Sequence, residues 1–205
     1  MDPSFLITAF VALFVVIDPI GLTPLFVALT TGMSSQKRRR IAIRATLVAT
    51  GILLVFSIFG ENILTFIGIS MPAFRIAGGI LLFLTALDML FERRTRRRED
   101  QAEEEVEDDP SVFPLAIPLI AGPGAIATVI LLVGQTDGTA GYFAVLGVLA
   151  GVLALVFMMF LSASVLERLL GKTGITVVTR LLGMLLAALS VQFVLDGLMG
   201  FGLGG

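Results

Sequence analysis

The chain is dominated by apolar stretches that are long enough to cross a lipid bilayer. The hydrocarbon core of a membrane is about 30 Å thick, so a crossing helix needs roughly 20 mainly apolar residues. Hydrophobic residues make up 57% of the 205 positions, and charged residues make up only 15%. Six such stretches lie between polar segments: Phe5–Thr31, Ile41–Phe59, Pro72–Phe91, Val112–Gly134, Tyr142–Leu166 and Val177–Met199. Since none alternates apolar and polar residues as a barrel strand does, we predict an all-α membrane protein with six transmembrane helices.

The residue types that are missing restrict the chemistry of the protein. The sequence contains no Cys and no His, which excludes disulfides, Cys/His zinc sites, haem-binding His and catalytic Ser-His or Cys-His pairs. We predict that the protein is not an enzyme and uses no cofactor or metal. The net charge of −2 leaves no basic excess for nucleic acid. The expected partners are membrane lipids and small solutes.

Basic residues follow alternate predicted spans. Residues 37–40 follow the first span, the arginines of residues 93–98 follow the third, and Arg168 and Lys172 follow the fifth. The other two loops contain no Lys or Arg. Because positively charged loops stay in the cytoplasm, this pattern predicts a multi-pass protein of the cell (inner) membrane with both termini outside the cytoplasm.

A charged segment divides the chain into two halves. Residues 92–110 form a basic block followed by an acidic block, without an apolar face that could pack, which predicts a cytoplasmic linker. Its arginines are explained by membrane topology without a specific lipid site. The first three-helix unit then covers residues 1–91, and the second covers residues 111–205.

The two halves share motifs in the same order. A Glu-x6-Gly-Ile-Ser/Thr motif begins at Glu61 and again at Glu167, and an Arg-x2-Gly motif begins at Arg75 and again at Arg180. Because each half has an odd number of spans, the second half enters the membrane in the opposite orientation. We therefore predict a 3+3 inverted-topology repeat, a feature of secondary transporters.

Proline and glycine interrupt the first and fourth spans near their centres. Residues 17–24 read I-D-P-I-G-L-T-P, and residues 117–124 read I-P-L-I-A-G-P-G. Proline removes a backbone donor and glycine permits unusual backbone angles, so helices one and four are predicted to be broken. Each break also restarts a helix, with Asp18 or Gly122 as N-cap. The alternative is that the prolines only kink the helices and shape the bundle.

A solute site is predicted where the two breaks meet near the bilayer midplane. The N–H groups at the restarted helices favour an anionic group such as a carboxylate. Asp18 would pair with an ammonium group or cation, or take up a coupling proton; the alternative is a capping carboxylate satisfied by its own helix. The candidate substrate-binding residues are Asp18, Pro19, Gly21, Thr23, Pro24, Thr85, Gly122, Pro123, Gly124 and Ser190.

Two further sets of residues are assigned structural roles. We predict ion pairs at hairpin ends, Glu61 with Arg75 and Glu167 with Arg180, because each glutamate lies just across a short loop from its arginine. The Gly147-x3-Gly151 pattern predicts a helix packing face.

The interrupted motifs also carry a family resemblance. D-P-I-G-L-T-P-L-F in span one and I-P-L-I-A-G-P-G-A-I in span four, within a six-span chain of this length, resemble the MarC-related family, which includes small neutral amino acid transporters of the SnatA type. The resemblance implies an inner-membrane transporter of glycine or alanine, coupled to a proton or Na⁺ gradient. An exporter or channel for another small solute and a non-transporting membrane scaffold are alternatives. A homo-oligomer is compatible with the sequence.

Overall fold

The computed structural model is built from helices. The structure describes residues 3–93, 109–136 and 138–202, so most of the predicted charged linker lies outside the described residues. The helices are α1 (Pro3–Ile17), α2 (Pro19–Leu29), α3 (Ser35–Ile67), α4 (Met71–Leu90), α5 (Ser111–Ile120), α6 (Pro123–Val133), α7 (Gly138–Leu161) and α8 (Ala163–Gly200). The predicted all-α class is confirmed.

The helices account for the predicted membrane spans. Within the described ranges, five helical stretches are long and apolar enough to cross a membrane, and the bent pair α5 and α6 raises the number to six. Helices α1 and α2 together form one candidate span of 27 residues. The last span begins at Thr173 because Gly171, with φ of 62°, interrupts α8.

Large apolar side chains cover the outside of the bundle. Phe66 is 92% exposed, Leu47 is 65% exposed and Leu181 is 55% exposed. In water such a surface would associate or aggregate, whereas hydrocarbon chains solvate it without cost. The exposed apolar surface therefore agrees with a multi-pass membrane protein.

The turn between α3 and α4 shows how polar residues set the helix ends. Gly68 adopts φ of 84° and ends α3, as expected for a residue without a Cβ. Ser70 caps α4 by accepting a hydrogen bond from the Ala73 N–H. At the other end of α3, Ser34 accepts from the Lys37 N–H at 3.3 Å. These caps satisfy amides that have no partner within the helix.

Helices α4 and α8 pack antiparallel along most of their length because glycines let their backbones approach. A Cβ on Gly79 would lie 2.8 Å from the Ser190 carbonyl oxygen, and one on Gly197 would lie 2.9 Å from the Pro72 carbonyl oxygen. Gly183 makes a similar approach, since its Cβ would lie 3.2 Å from the Ala86 carbonyl oxygen. Small residues at a membrane helix interface have this role generally.

The predicted packing face at Gly147 and Gly151 is not formed within the chain. Among the described residues, nothing lies within 4 Å of a Cβ built on either glycine. The G-x3-G pattern was therefore the wrong indicator here, because the glycines that bring helices together are widely spaced on α4 and α8.

Two ion pairs bring the ends of separate helices to the same side of the bundle. Arg44 near the start of α3 pairs with Asp109 before α5, and Arg180 on α8 pairs with Glu92 after α4 at 2.7 Å. Hydrogen bonding from Ser111 lowers the pKa of the Asp109 carboxyl, and the Arg44 guanidinium adds to the effect. The segments flanking the three basic loops thus lie at one end of the molecule, as alternating topology requires.

The glycine contacts between α4 and α8 generate a stability prediction. Gly79→Ala forces a methyl group against backbone atoms of α8, so we expect it to cost about 1–3 kcal/mol. The matched control is Gly51→Ala, because a Cβ at Gly51 meets nothing within 4 Å among the described residues. The control should leave stability unchanged or raise it by up to about 1 kcal/mol. Thermal unfolding in detergent measures both, and equal melting temperatures would contradict the packing assignment.

Candidate functional site

The first span is interrupted at Asp18, which is 1% exposed. Its backbone lies in the left-handed region, with φ of 57° and ψ of 64°, a conformation that Asp and Asn tolerate better than most residues. The Asp18 N–H donates to the Phe14 carbonyl at 2.9 Å, and the Leu22 N–H donates to the Asp18 carbonyl at 3.0 Å. The interruption is therefore local, and the two half-helices stay joined.

The Asp18 side chain replaces part of the missing helical bonding. Its Oδ1 accepts a hydrogen bond from the Gly21 N–H at 3.0 Å. A Cβ on Gly21 would collide with this carboxylate, so the glycine is required by the cap. The predicted capping role of Asp18 is present, and the Gly21 amide is consequently occupied rather than free for a solute.

The prolines of α2 free carbonyl groups beside Asp18. Pro19 and Pro24 carry no N–H, so the carbonyls of Val15 and Ile20 lose their usual helical donors. Thr23, which is fully buried, donates its hydroxyl to the Pro19 carbonyl at 2.9 Å. The carbonyl oxygens and the Asp18 carboxyl group thus gather hydrogen-bond acceptors at this break.

The second break differs from the first in both bend and capping. Helices α5 and α6 are bent by 53°, and the Ala121 N–H reaches back to the Ala116 carbonyl at 2.8 Å. Gly122 is buried, and a Cβ there would collide with the Pro118 carbonyl oxygen. Only glycine fits this corner.

The start of α6 has no side-chain cap. Gly122 is its N-cap and Pro123 its first residue, and the first helical hydrogen bond runs from the Ile126 N–H to the Gly122 carbonyl at 3.0 Å. The amides of Gly124 and Ala125 precede that bond and have no acceptor within the helix. This end therefore presents partial positive charge, the counterpart of the acceptor-rich first break.

The two breaks are neighbours in the folded chain. A Cβ on Gly124 would lie 3.2 Å from Val16 Cγ1, two residues before Asp18, and 3.9 Å from Thr85 Oγ1 on α4. Helix α6 thus begins beside the point where α1 ends. Among the predicted site residues, the structure brings Gly124 and Thr85 together beside the end of α1, two residues before Asp18.

Ser190 lies at the α4–α8 interface, although the predicted repeat aligns it with Thr85, because each hydroxyl residue follows the arginine of the Arg-x2-Gly motif at the same spacing. It is fully buried at the α4–α8 interface beside Gly79. Both hydroxyls bond their own helices, Thr85 to the Leu81 carbonyl at 2.9 Å and Ser190 to the Ala187 carbonyl at 2.6 Å. The contacts of Ser190 are structural.

The residues of the predicted hairpin-end ion pairs have the following contacts. Arg180 pairs with Glu92, and the side chain of Glu167 lies outside the described residues. In the described part of the chain, Arg75 Nε is buried without a hydrogen-bond partner, and Glu61 forms no ion pair with it. Helix α3 continues to Ile67 and α4 begins at Met71, so Glu61 and Arg75 both lie within helices rather than at the turn between them.

Sequence reasoning missed one buried hydroxyl at the second break. Thr128 is fully buried and donates to the Gly124 carbonyl at 2.8 Å. The signal was available, because Thr128 lies one helical turn after Gly124, as Thr23 lies one turn after Pro19. Both hydroxyls stabilise the first turn of a restarted helix.

Together these features define an all-helical, multi-pass membrane protein with two interrupted spans in contact. The chain belongs to the MarC family, described as integral membrane proteins, whose family model matches residues 3–201.

Relatives cover nearly the whole chain. A UPF0056 membrane protein of Methanocaldococcus jannaschii is 39% identical over 98% of this chain and 98% of its own length. UPF0056 membrane protein YvbG of Bacillus subtilis is 38% identical over 96% of this chain and 95% of its own. UPF0056 inner membrane protein YhgN of Escherichia coli K12 is 35% identical over 94% of this chain and 95% of its own length. No solved structure matches the chain.

The two roles of Asp18, cap and charge, are separable by mutation. Asp18→Asn keeps an oxygen acceptor for the Gly21 N–H and tolerates the left-handed backbone, so we expect stability to change by less than about 1 kcal/mol. Asp18→Ala loses the cap and strains the backbone, and should cost about 2 kcal/mol or more. Thermal unfolding of the purified variants measures the difference; equal losses would exclude a capping role.

Proposed function

We propose that this protein is a secondary transporter of small neutral amino acids of the glycine and alanine type. It resides in the inner membrane, like its relative, the inner membrane protein YhgN of Escherichia coli, and both termini lie outside the cytoplasm. The proposal rests on the contact between the two interrupted spans. A Cβ built on Gly124 at the second break would lie 3.2 Å from Val16 Cγ1 at the first.

The charge pattern of the two breaks suits a zwitterion. The first offers the Asp18 carboxylate and carbonyls freed by proline, which attract an ammonium group. The second offers the uncapped amides of Gly124 and Ala125, which attract a carboxylate. Acidic residues within membrane-spanning segments commonly contact a substrate or ion, which supports this role for Asp18 in addition to its capping bond with the Gly21 N–H.

The close approach at Gly124 favours small substrates. A methyl group added at Gly124 would already contact Val16, and its carbon would lie 3.6 Å from Leu82 Cδ2. A solute held between the breaks therefore has little room for a side chain. Glycine and alanine satisfy this restriction.

The helix pairings support an inverted repeat. Exchange of the two halves by a two-fold axis would convert the contacts of α1 and α2 with α7 into contacts of α5 and α6 with α3. It would map the α4–α8 contact onto itself. All of these contacts are present. In an inverted repeat the halves rock around a fixed central site, which is the basis of alternating access.

Transport is tested by counterflow in proteoliposomes. We expect the parent protein to exchange labelled glycine and alanine against unlabelled substrate with saturation. Gly124→Val should reduce exchange at least about tenfold because it closes the contact between the breaks. Gly51→Val is the control, since that position is open in the described structure. Flux without saturation or exchange would instead indicate a channel, and no flux with any small solute would indicate a scaffold.

Coupling is tested separately from binding. If Asp18 carries the coupling proton or holds Na⁺, then Asp18→Asn should abolish accumulation against a gradient while counterflow continues. If Asp18 binds the ammonium group, both activities should fall by about tenfold or more, the loss expected for one charge-assisted hydrogen bond. Accumulation driven by an imposed proton or Na⁺ gradient is the measurement. Unchanged activity in both assays would remove Asp18 from the transport mechanism.

A further inference from the structure

A cavity with a basic lining lies away from the two helix breaks, where the ends of α2 and α7 meet the start of α3. Its volume is about 180 Å³, and it is lined by Phe26, Ser35, Arg38, Arg39, Phe160 and Leu161. It lies at the end of the bundle that carries the basic residues 37–40. The cavity thus sits at the membrane surface rather than at mid-depth.

The inner wall of the cavity is a rigid aromatic pair. The rings of Phe26 and Phe160 stack with centroids 4.4 Å apart and an interplanar angle of 7°, and both residues are almost completely buried. The Arg38 guanidinium lies 5.7 Å from the Phe26 ring centroid, a favourable cation–π distance. One cationic group is therefore held in a fixed place against an apolar wall.

The arginines of this cavity lack an anionic partner. Within the described ranges, neither Arg38 nor Arg39 forms an ion pair or a side-chain hydrogen bond, whereas Arg44 on the same helix pairs with Asp109. A guanidinium stacked on a ring keeps the N–H groups at its edge available, and these match two oxygens of a phosphate. The hydroxyl of Ser35 adds another donor to the lining.

We propose that this cavity binds the phosphate of an anionic phospholipid. The two arginines and Ser35 supply the phosphate contacts, and Leu161, which is 50% exposed, supplies an apolar surface for the attached glycerol and acyl chain. Free phosphate would use only the polar half of this lining, whereas a lipid uses both. Basic cavities between membrane helices are a known type of headgroup site. The assignment is independent of the proposed transport activity.

Lipid titration followed by native mass spectrometry of the full chain tests the proposal. The probes are phosphatidylglycerol, phosphatidylcholine and glycerol 3-phosphate. They test, in that order, an anionic lipid, a lipid without net charge and a soluble phosphate. We expect phosphatidylglycerol to bind preferentially and the double variant Arg38→Gln/Arg39→Gln to bind it about tenfold more weakly, the effect of losing one charge-assisted hydrogen bond.

A matched variant separates the cavity from general electrostatic attraction. Lys37→Gln/Arg40→Gln removes the same charge from the same helical turn, but neither residue lines the cavity, so its affinity should stay close to that of the parent. Equal loss in both double variants would overturn the site, as would equal binding of phosphatidylcholine. Glycerol 3-phosphate binding as tight as the lipid would overturn the lipid assignment. If the first double variant does not fold, Arg39→Gln alone, which leaves the Arg38–Phe26 contact intact, should still weaken binding, and no weakening would refute the proposal.

Discussion

Every backbone N–H and carbonyl that leaves a regular helix inside a membrane needs another partner, because hydrocarbon offers none. This constraint explains why the first interruption is so compact. Asp18 takes a left-handed conformation, keeps its own helical hydrogen bonds on both sides, and uses its carboxylate for the Gly21 amide. Asp18 thus supplies a hydrogen-bond acceptor that the interrupted backbone needs at that point. The proposed transport role of Asp18 comes in addition to this structural one.

The second interruption solves the same problem differently. Gly122 has no side chain to cap α6, and the chain bends by 53° instead of continuing in line. The acceptor-rich break and the donor-rich break lie next to each other, joined through the Gly124–Val16 contact. The two proline and glycine breaks are therefore complementary rather than identical. This asymmetry is the reason for proposing a ligand with one positive and one negative end.

The sequence predicts the spans and the positions of the breaks because hydrophobic length, proline and glycine act locally. It does not predict which long-range partners meet. Arg180 pairs with Glu92 because α4 and α8 are antiparallel neighbours, and proximity across a loop does not indicate such a partner. Ser190 lies against Gly79 at the α4–α8 interface, and the sequence does not distinguish a hydroxyl on a packed helix face from one in a site. Both contacts depend on which helices pack together.

The packing also distinguishes a rigid part of the molecule, α4 with α8, from a part that contains the interruption at Asp18. Helices α4 and α8 approach so closely at Gly79 and Gly197 that little relative movement is tolerated. Helix α2, in contrast, begins at the Asp18 interruption and carries Phe26 near its other end, stacked on α7 under Arg38. Because a helix of this length moves as a unit, any change of angle at Asp18 must also move Phe26 relative to α7. The geometry of the aromatic stack and of the cavity beside it therefore depends on the position of α2. A lipid phosphate bound in the cavity would favour one arrangement of the first break over another.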